Sequence, residues 1–530
     1  MDRIIVLDKG KIAEDGTYDE LIADCEAAYA EAGAMNAMCS YTAVDGTPVS
    51  MDRELLTQVL RETWGMRGFV RSDMTAVSRL WDWFFITEDP DEAIRLGLEA
   101  GVDLQLFDFS HDKWREGIVT LIEQGRMDRA VLETAARRVL RVKMLLGLFE
   151  NPYGDEEREK AVLKCDAPLA LAEKIADESL VLLKNEGVLP LSKEKPMRLG
   201  LFGPNADAIY NQLGDYTPPI RPEMGITPKR GLEELLNGTG VEVVYHPGCG
   251  LFEEFPDIAG AVEAAKDCDV IVACLGGSSS RFAAEGEFDS NGAMKKQGAV
   301  TMDCGENVDD DRLELPGRQT ELLWALRAVG KPVIAVLIGG RPYAMGQIDA
   351  DAIIQAFYPG LTGGEAIAKL IFGDIEPAGR LSVTLPDHVG QLPVAYNAKD
   401  SYRYCTYYRG GQPQYRFGDG LTYTRFGYEL VTADSSAVTV RITNTGSRPG
   451  WAVPQLYLHR TQGVVTSRIQ LCAFDKRLLA PGERAEFTLT IPEEALMQFD
   501  WSMVQRRIPG RIEWFVKDCG ETHLSGEFTV

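Results

Sequence analysis

Asp73 is the acidic residue whose surroundings best suit chemistry in this sequence. It closes GFVRSD (68–73), a short apolar run of strand type, so its carboxyl is delivered at a strand end. A second set of acids lies in the long stretch 278–316, which carries EGEFDSNGA at 285–293 and CGENVDDDR at 304–312. Roughly forty residues without clear periodicity inside a compact domain are commonly functional. Glu306 follows Gly305 and precedes Asp309, Asp310 and Asp311. Crowded like charges raise carboxyl pKa values, as a general acid near neutral pH requires. One carboxylate at a strand end and another on a loop of the next domain suit cleavage of a glycosidic bond, which takes a nucleophile or base and a proton donor. The blander alternatives are a turn or cap aspartate at Asp73 and a solvated acidic loop around Glu306. Other chemistries fare worse: GxSxG and GxxxxGK[ST] are both absent, and GLTGGEA (360–366) better suits close backbone packing than a phosphate cradle.

The elements that would position Asp73 are legible around it. MNAMCSY (35–41) reads as a strand, followed by turn residues Asp45, Gly46 and Pro48. Leu55, Leu56, Val59 and Leu60 recur at helical spacing, and Gly65 and Gly68 end that helix. Two strands joined by a helical crossover run parallel, so both C-terminal ends share the face where ligands bind in α/β folds. VDLQL (102–106) reads as a further strand, with helices near 110–124 and 128–148. Residues 160–390 alternate apolar strands (198–203, 241–246, 269–277, 331–340, 352–360) with helices that include 318–329 and 363–371, which predicts an open parallel sheet. From 431 onward the period is two: Val438, Val440, Ile442, then Phe487, Leu489, Ile491, then Ile512, Trp514, Val516. Turns such as NTGSRPG and LAPGE separate these runs, as in a small β-sandwich over 431–530, and residues 391–430 form the connection to it.

At 530 residues the chain has room for about three domains. A net charge of −25 argues against nucleic-acid or anionic-membrane partners and is compatible with a neutral sugar. Ten cysteines without CxxC spacing and five scattered histidines suit reduced thiols rather than disulfides or a zinc site. With neither a membrane-length apolar run nor a signal-peptide core, a cytoplasmic protein is expected. Residues 1–33 read separately, as strand, Lys9–Gly10 turn, strand, and a helix capped near Thr17, and resemble the closing segment of ABC-transporter ATPase domains. That segment is expected to be a fused or misjoined remnant.

Taken together, the motifs resemble glycoside hydrolase family 3, the β-glucosidase and β-xylosidase group. MCSYTAVDGTPVS…LLTQVLRETWGMRGFVRSD is similar to its nucleophile region, and ESLVLLKNEGVLPL (178–191) with LGLFGPNAD to the start of its α/β-sandwich domain. LELPGRQTELL, KPVIAVLIGGRPYAM, FYPGLTGGEAIAKLIFGDIEPAGRLSVTLP and YRFGDGLTYTRFGY resemble its later signatures in order, and NTGSRPGWAVPQLYL resembles its fibronectin type III-like domain. The resemblance implies a retaining double displacement on a small oligosaccharide or β-glycoside, with no metal or organic cofactor. It implies Asp73 as nucleophile and Glu306 as acid/base, Glu285 being the competing acid/base, with Met38, Tyr41 and Met74 lining the sugar pocket. In such a reaction the two carboxyl groups approach to about 5–5.5 Å.

The sequence also departs from the family pattern. Met74 stands where many members have Trp, Thr42 where Asn is common, and Asn307 and Asp310 interrupt the acid/base motif. The family's (β/α)8 barrel would place roughly 200 residues before MCSY. The expected fold is therefore multidomain α/β plus all-β: a second-half barrel remnant over 34–150, an α/β sandwich with a mostly parallel sheet, and a fibronectin type III-like β-sandwich. Open barrel edges are compatible with a homo-oligomer. The alternative to a β-glycosidase is a non-catalytic fragment acting as a scaffold or carbohydrate-binding module.

Overall fold

The computed structural model describes residues 4–8, 11–16, 33–163, 166–217, 220, 222–252, 256–280, 302–306, 308–399, 412–461, 467–499 and 504–530. Glu285 and the helix expected near Thr17 lie outside the described residues. Ile4–Asp8 and Lys11–Gly16 pair antiparallel, and the Lys9–Gly10 turn expected between them lies outside the described residues. The chain divides into two compact units, most of the first before residue 163 and most of the second after it.

In the first unit, Asn36–Cys39 and Phe69–Ser72 lie parallel, with Cys39 opposite Ser72. Between them runs Glu54–Thr63, which buries Leu56, Val59 and Leu60. Its winding is wider than the expected α-helix, with the Trp64 N–H donating to the Val59 carbonyl. The stretch 102–106 corrects another expectation: instead of a full strand, it makes a single parallel bridge, Leu104 to Arg71. Helices His111–Glu123 and Arg129–Leu145 lie within one to three residues of the expected bounds and are capped by Ser110 and Asp128. A third helix, Pro90–Ala100, has the ordinary signature of Asp89 at the cap, Pro at the first turn and Gly101 after the end. Asp103, nearly buried, ties these pieces together. It accepts from the Val70 N–H at 2.9 Å and pairs with Arg61 and Arg138.

The second unit is organised by a six-stranded sheet in the order Val181–Asn185, Ala352–Phe357, Val333–Ile338, Val270–Gly276, Met197–Phe202, Val241–His246. All neighbours are parallel except the edge strand Val181–Asn185, which runs antiparallel to Ala352–Phe357. The central strands read VIVACLG and VIAVLI and are buried throughout, as expected of a parallel sheet covered on both faces. Helices Pro228–Leu235 and Gly363–Phe372 meet backbone to backbone on one face. A Cβ on Gly364 would lie 2.0 Å from the Thr227 carbonyl carbon, and one on Gly231 would lie 2.3 Å from the Gly364 oxygen. The glycines of GLTGGEA thus serve helix packing.

A β-sandwich completes this unit. Its three-stranded sheet comprises Phe426–Ala433, Ala437–Asn444 and Arg484–Thr490. The four-stranded sheet comprises Gln470–Phe474, Gln455–Arg460, Arg511–Asp518 and Glu521–Thr529. All nine residues read from the period of two are buried in the core between the sheets. Asp518 is fully buried at its edge, where Arg380, from the segment after the α/β sheet, pairs with it at 2.7 Å. The Tyr428 hydroxyl (2.6 Å) and the Val453 N–H (3.0 Å) also donate to Asp518. Burial would push this carboxyl up, but Arg380 and the hydrogen bonds outweigh it and hold it below the usual carboxylate range.

Removing one partner of such a pair leaves an uncompensated buried charge. Asp518→Asn is expected to cost about 3–5 kcal/mol at neutral pH, read by urea unfolding. Because the folded carboxyl titrates below its unfolded value, this stabilisation is complete at neutral pH and fades as pH falls through the folded pKa. The difference between variant and unaltered protein therefore narrows in acid.

Candidate active site

Asp73 follows directly on Phe69–Ser72, at the C-terminal edge of the parallel segments. Its N–H continues the ladder to the Cys39 carbonyl at 3.0 Å, and its own Oδ1 accepts from the Met74 N–H at 2.7 Å. The chain then turns sharply. Thr75 takes a left-handed φ of +65°, a conformation that costs a β-branched residue about 1–2 kcal/mol. Asp108 offsets that strain. Its carboxylate is buried and accepts from Ser72 Oγ (2.5 Å), the Val77 N–H (2.5 Å), the Ser78 N–H (3.0 Å) and the Leu106 N–H (3.3 Å). Burial raises the Asp108 carboxyl, and the hydrogen bonds oppose that rise. The neighbouring Cys39 thiol is pushed up to about 12 by burial, so it is no nucleophile at neutral pH.

Glu306 belongs to the second unit, on a loop beyond the C-terminal ends of the parallel strands. Glycine pairs end two of those strands and let the loop close in: a Cβ on Gly277 would lie 2.1 Å from both Asp303 Oδ1 and the Tyr343 hydroxyl. Asp303 accepts from the Ser278 N–H (2.9 Å) and the Tyr343 hydroxyl (2.7 Å). Burial, then Asp303 itself, pushes the Tyr343 phenol well above its usual value. Arg341 gathers the rest of the loop, donating to the carbonyls of Asp303 (3.1 Å), Asp310 (2.7 Å) and Arg312 (3.0 Å) and pairing with Asp309. Within this frame Gly305 has φ +138°. The Glu306 N–H donates to Asp215 Oδ2 at 3.0 Å, and the Tyr216 hydroxyl donates to Glu306 Oε2.

The acidic run does not behave as like charges alone would dictate. The Asp310 N–H and the Arg341 guanidinium hold Asp309 below the usual range. At Asp310, burial works upward but is outweighed by the N–H and guanidinium of Arg312, so that carboxyl is also lowered. Arg312, two residues on, pairs with Asp310, and Arg341 pairs with Asp309 from thirty-two residues away.

Met38 and Tyr41 are exposed at the end of the first strand, and Met74 is half-buried beside Asp73. The Arg79 guanidinium lies 4.2 Å from the Tyr41 ring centroid and 5.0 Å from that of Trp83. Asp73, Met74, Met38 and Tyr41 belong to the first unit and Glu306 to the second. Asp108, Asp303, Arg341 and Tyr216 were not singled out from sequence. The only local signals were the glycine pairs of LGG and IGG. No group of acids, histidines and cysteines among the described residues could hold a metal ion, and no described helix is long and apolar enough to cross a membrane.

Comparison with known proteins bears on both units. Residues 18–142 match the Glycosyl hydrolase family 3 N terminal domain, 180–423 its C-terminal domain, and 452–517 the Fibronectin type III-like domain. A β-glucosidase structure from Erythrobacter marinus is 34% identical, covers 95% of this chain and 69% of its own, and superposes with a TM-score of 0.78. The chain belongs to glycosyl hydrolase family 3. Among curated proteins it is 32% identical to a periplasmic beta-glucosidase of Salmonella typhimurium (92% of this chain, 66% of the relative). It is likewise 32% identical to a putative beta-xylosidase of Formosa agariphila (90% and 61%). The chain thus spans just under two thirds of these relatives' own length. A β-glucosidase from Listeria innocua, solved with glucose, is 29% identical with a TM-score of 0.76, covering 95% of this chain and 68% of its own. The family 3 match begins at residue 18, inside the segment set apart by sequence as ABC-like.

Removal of the Asp108 carboxylate tests the hold on Asp73. Asp108→Ala orphans buried N–H groups and is expected to cost roughly 2–4 kcal/mol in urea unfolding. Asp108→Asn retains one accepting oxygen and is expected to cost less than half of that.

Proposed function

We propose that this chain is a retaining β-glycosidase acting on non-reducing β-glucosides or β-xylosides. The observation that carries the reading is Asp73, an acid held at the end of a parallel strand by a buried carboxylate network in a family 3 sequence. In the first step the Asp73 carboxylate attacks the anomeric carbon while Glu306 gives its proton to the departing glycosidic oxygen. In the second, Glu306 takes a proton from water as that water attacks the same carbon and Asp73 departs. Met38, Tyr41 and Met74 are assigned to the sugar pocket, and no metal or cofactor enters either step. The strands Asn36–Cys39 and Phe69–Ser72, with the bridge at Leu104, are read as the second half of a (β/α)8 barrel. The relatives' names, a beta-glucosidase and a beta-xylosidase, support the sugar class.

Kinetics on aryl and alkyl β-glucosides test this. Asp73→Asn is expected to lower kcat/KM by about 10⁴-fold or more. Glu306→Gln is expected to lose about 10²–10⁴-fold on alkyl glucosides and far less on dinitrophenyl glucoside, whose leaving group needs no proton. Proton NMR of the first-formed sugar is expected to show the β-anomer. Undiminished turnover by the Asp73 variant, or release of the α-anomer, overturns the proposal.

A further inference from the structure

The loop after Ile209–Gln212 brings a second chemical group to Glu306 that the reaction as written does not use. Asp215 spans the two loops, with Oδ2 accepting from the Glu306 N–H (3.0 Å) and Oδ1 from the Tyr216 N–H (2.8 Å). Gly305 admits this bridge, since a Cβ there would lie 3.1 Å from Asp215 Oδ2. Tyr216 itself has a left-handed φ of +57° and is 72% exposed. A large residue held in that conformation at the surface gains no core packing to offset the strain. Its hydroxyl donates to Glu306 Oε2.

We infer that Tyr216 is a positioning residue for Glu306, fixing its carboxylate by donating to Oε2 so that the transferred proton is carried on Oε1. This rests on the proposed acid/base role of Glu306. A donor to the anion favours the ionised form, the form that accepts the proton of water in the second step. Among the described residues, the other titratable groups packed about the loop include Asp215 from the same segment as Tyr216, Asp303, Cys304, Asp309, Asp310, Asp311 and Arg312 from the loop itself, Arg341 on Asp303 and Asp309, and Tyr358, whose hydroxyl lies 3.5 Å from Cys304 Sγ. None of these is altered by removing the Tyr216 hydroxyl.

The test is Tyr216→Phe, an exposed substitution that circular dichroism can show to be folded. Glutamate side-chain carboxyls are labelled with ¹³C and titrated by NMR, and the Glu306 signal is assigned by its loss in Glu306→Gln. The Glu306 midpoint is expected to rise by roughly half to one pH unit in the variant. The basic limb of kcat/KM on an alkyl β-glucoside is expected to move the same way, because the acid must be protonated to act. An unchanged Glu306 midpoint overturns the positioning role. A raised midpoint in a protein whose Glu306→Gln variant is fully active keeps that role and overturns the proposed function instead.

Discussion

Four neutral donors converge on the buried Asp108 carboxylate, and through them the segment after Asp73 keeps a shape its own residues disfavour. A strand ending fixes only where a side chain leaves the sheet. Beyond that point the backbone is held by whatever accepts its N–H groups. Here one carboxylate accepts from Ser72, Val77, Ser78 and Leu106, closing the left-handed turn at Thr75 around the proposed nucleophile. Arg341 is the counterpart in the second unit, with a planar set of donors reaching three carbonyls and one carboxylate of the loop that carries Glu306. Both acids are carried by irregular segments, and in both a single buried or half-buried charged side chain replaces regular secondary structure.

The scaffolds beneath these segments are conventional by comparison. A sheet buried on both faces, glycines that let two helices touch, and a β-sandwich tied on by Arg380 and Asp518 give the second unit rigidity without contributing to the chemistry. The glycines at the ends of the central strands do both jobs. They terminate the strands and leave room for Asp303 and Tyr343 to anchor the loop.

Much of this architecture was legible in sequence wherever a periodic pattern met a buried surface. The β-sandwich core was read from alternation alone, and the strand 241–246 coincides with its observed bounds because both ends are marked by polar or turn residues. Pro90–Ala100 went unread although Asp89, Pro90 and Gly101 mark its ends, because its apolar face is made largely of Ala and Gly. The strand expected at 102–106 shrank to one bridge because Asp103 turns inward to Val70, Arg61 and Arg138 instead of continuing the ladder. At the candidate site, the acids were visible as residue types but their supports were not. Asp108 lies thirty-six residues from Ser72, Arg341 thirty-two from Asp309 and Tyr216 ninety from Glu306, separations over which no local pattern carries information. At Asp309 the same distance hid Arg341, whereas Asp310 is lowered by Arg312, only two residues away, a local partner that reading the run as like charges passed over.

The most direct measurement is to trap the covalent sugar. Incubation with a 2-deoxy-2-fluoro-β-glucoside bearing a dinitrophenyl leaving group slows the second step and accumulates the glycosyl-enzyme. Trypsin then releases residues 72–79, SDMTAVSR, as one peptide. Attachment of the fluorosugar to Asp73 within that peptide is the expected result. Attachment to any other residue, or no attachment at all, contradicts it.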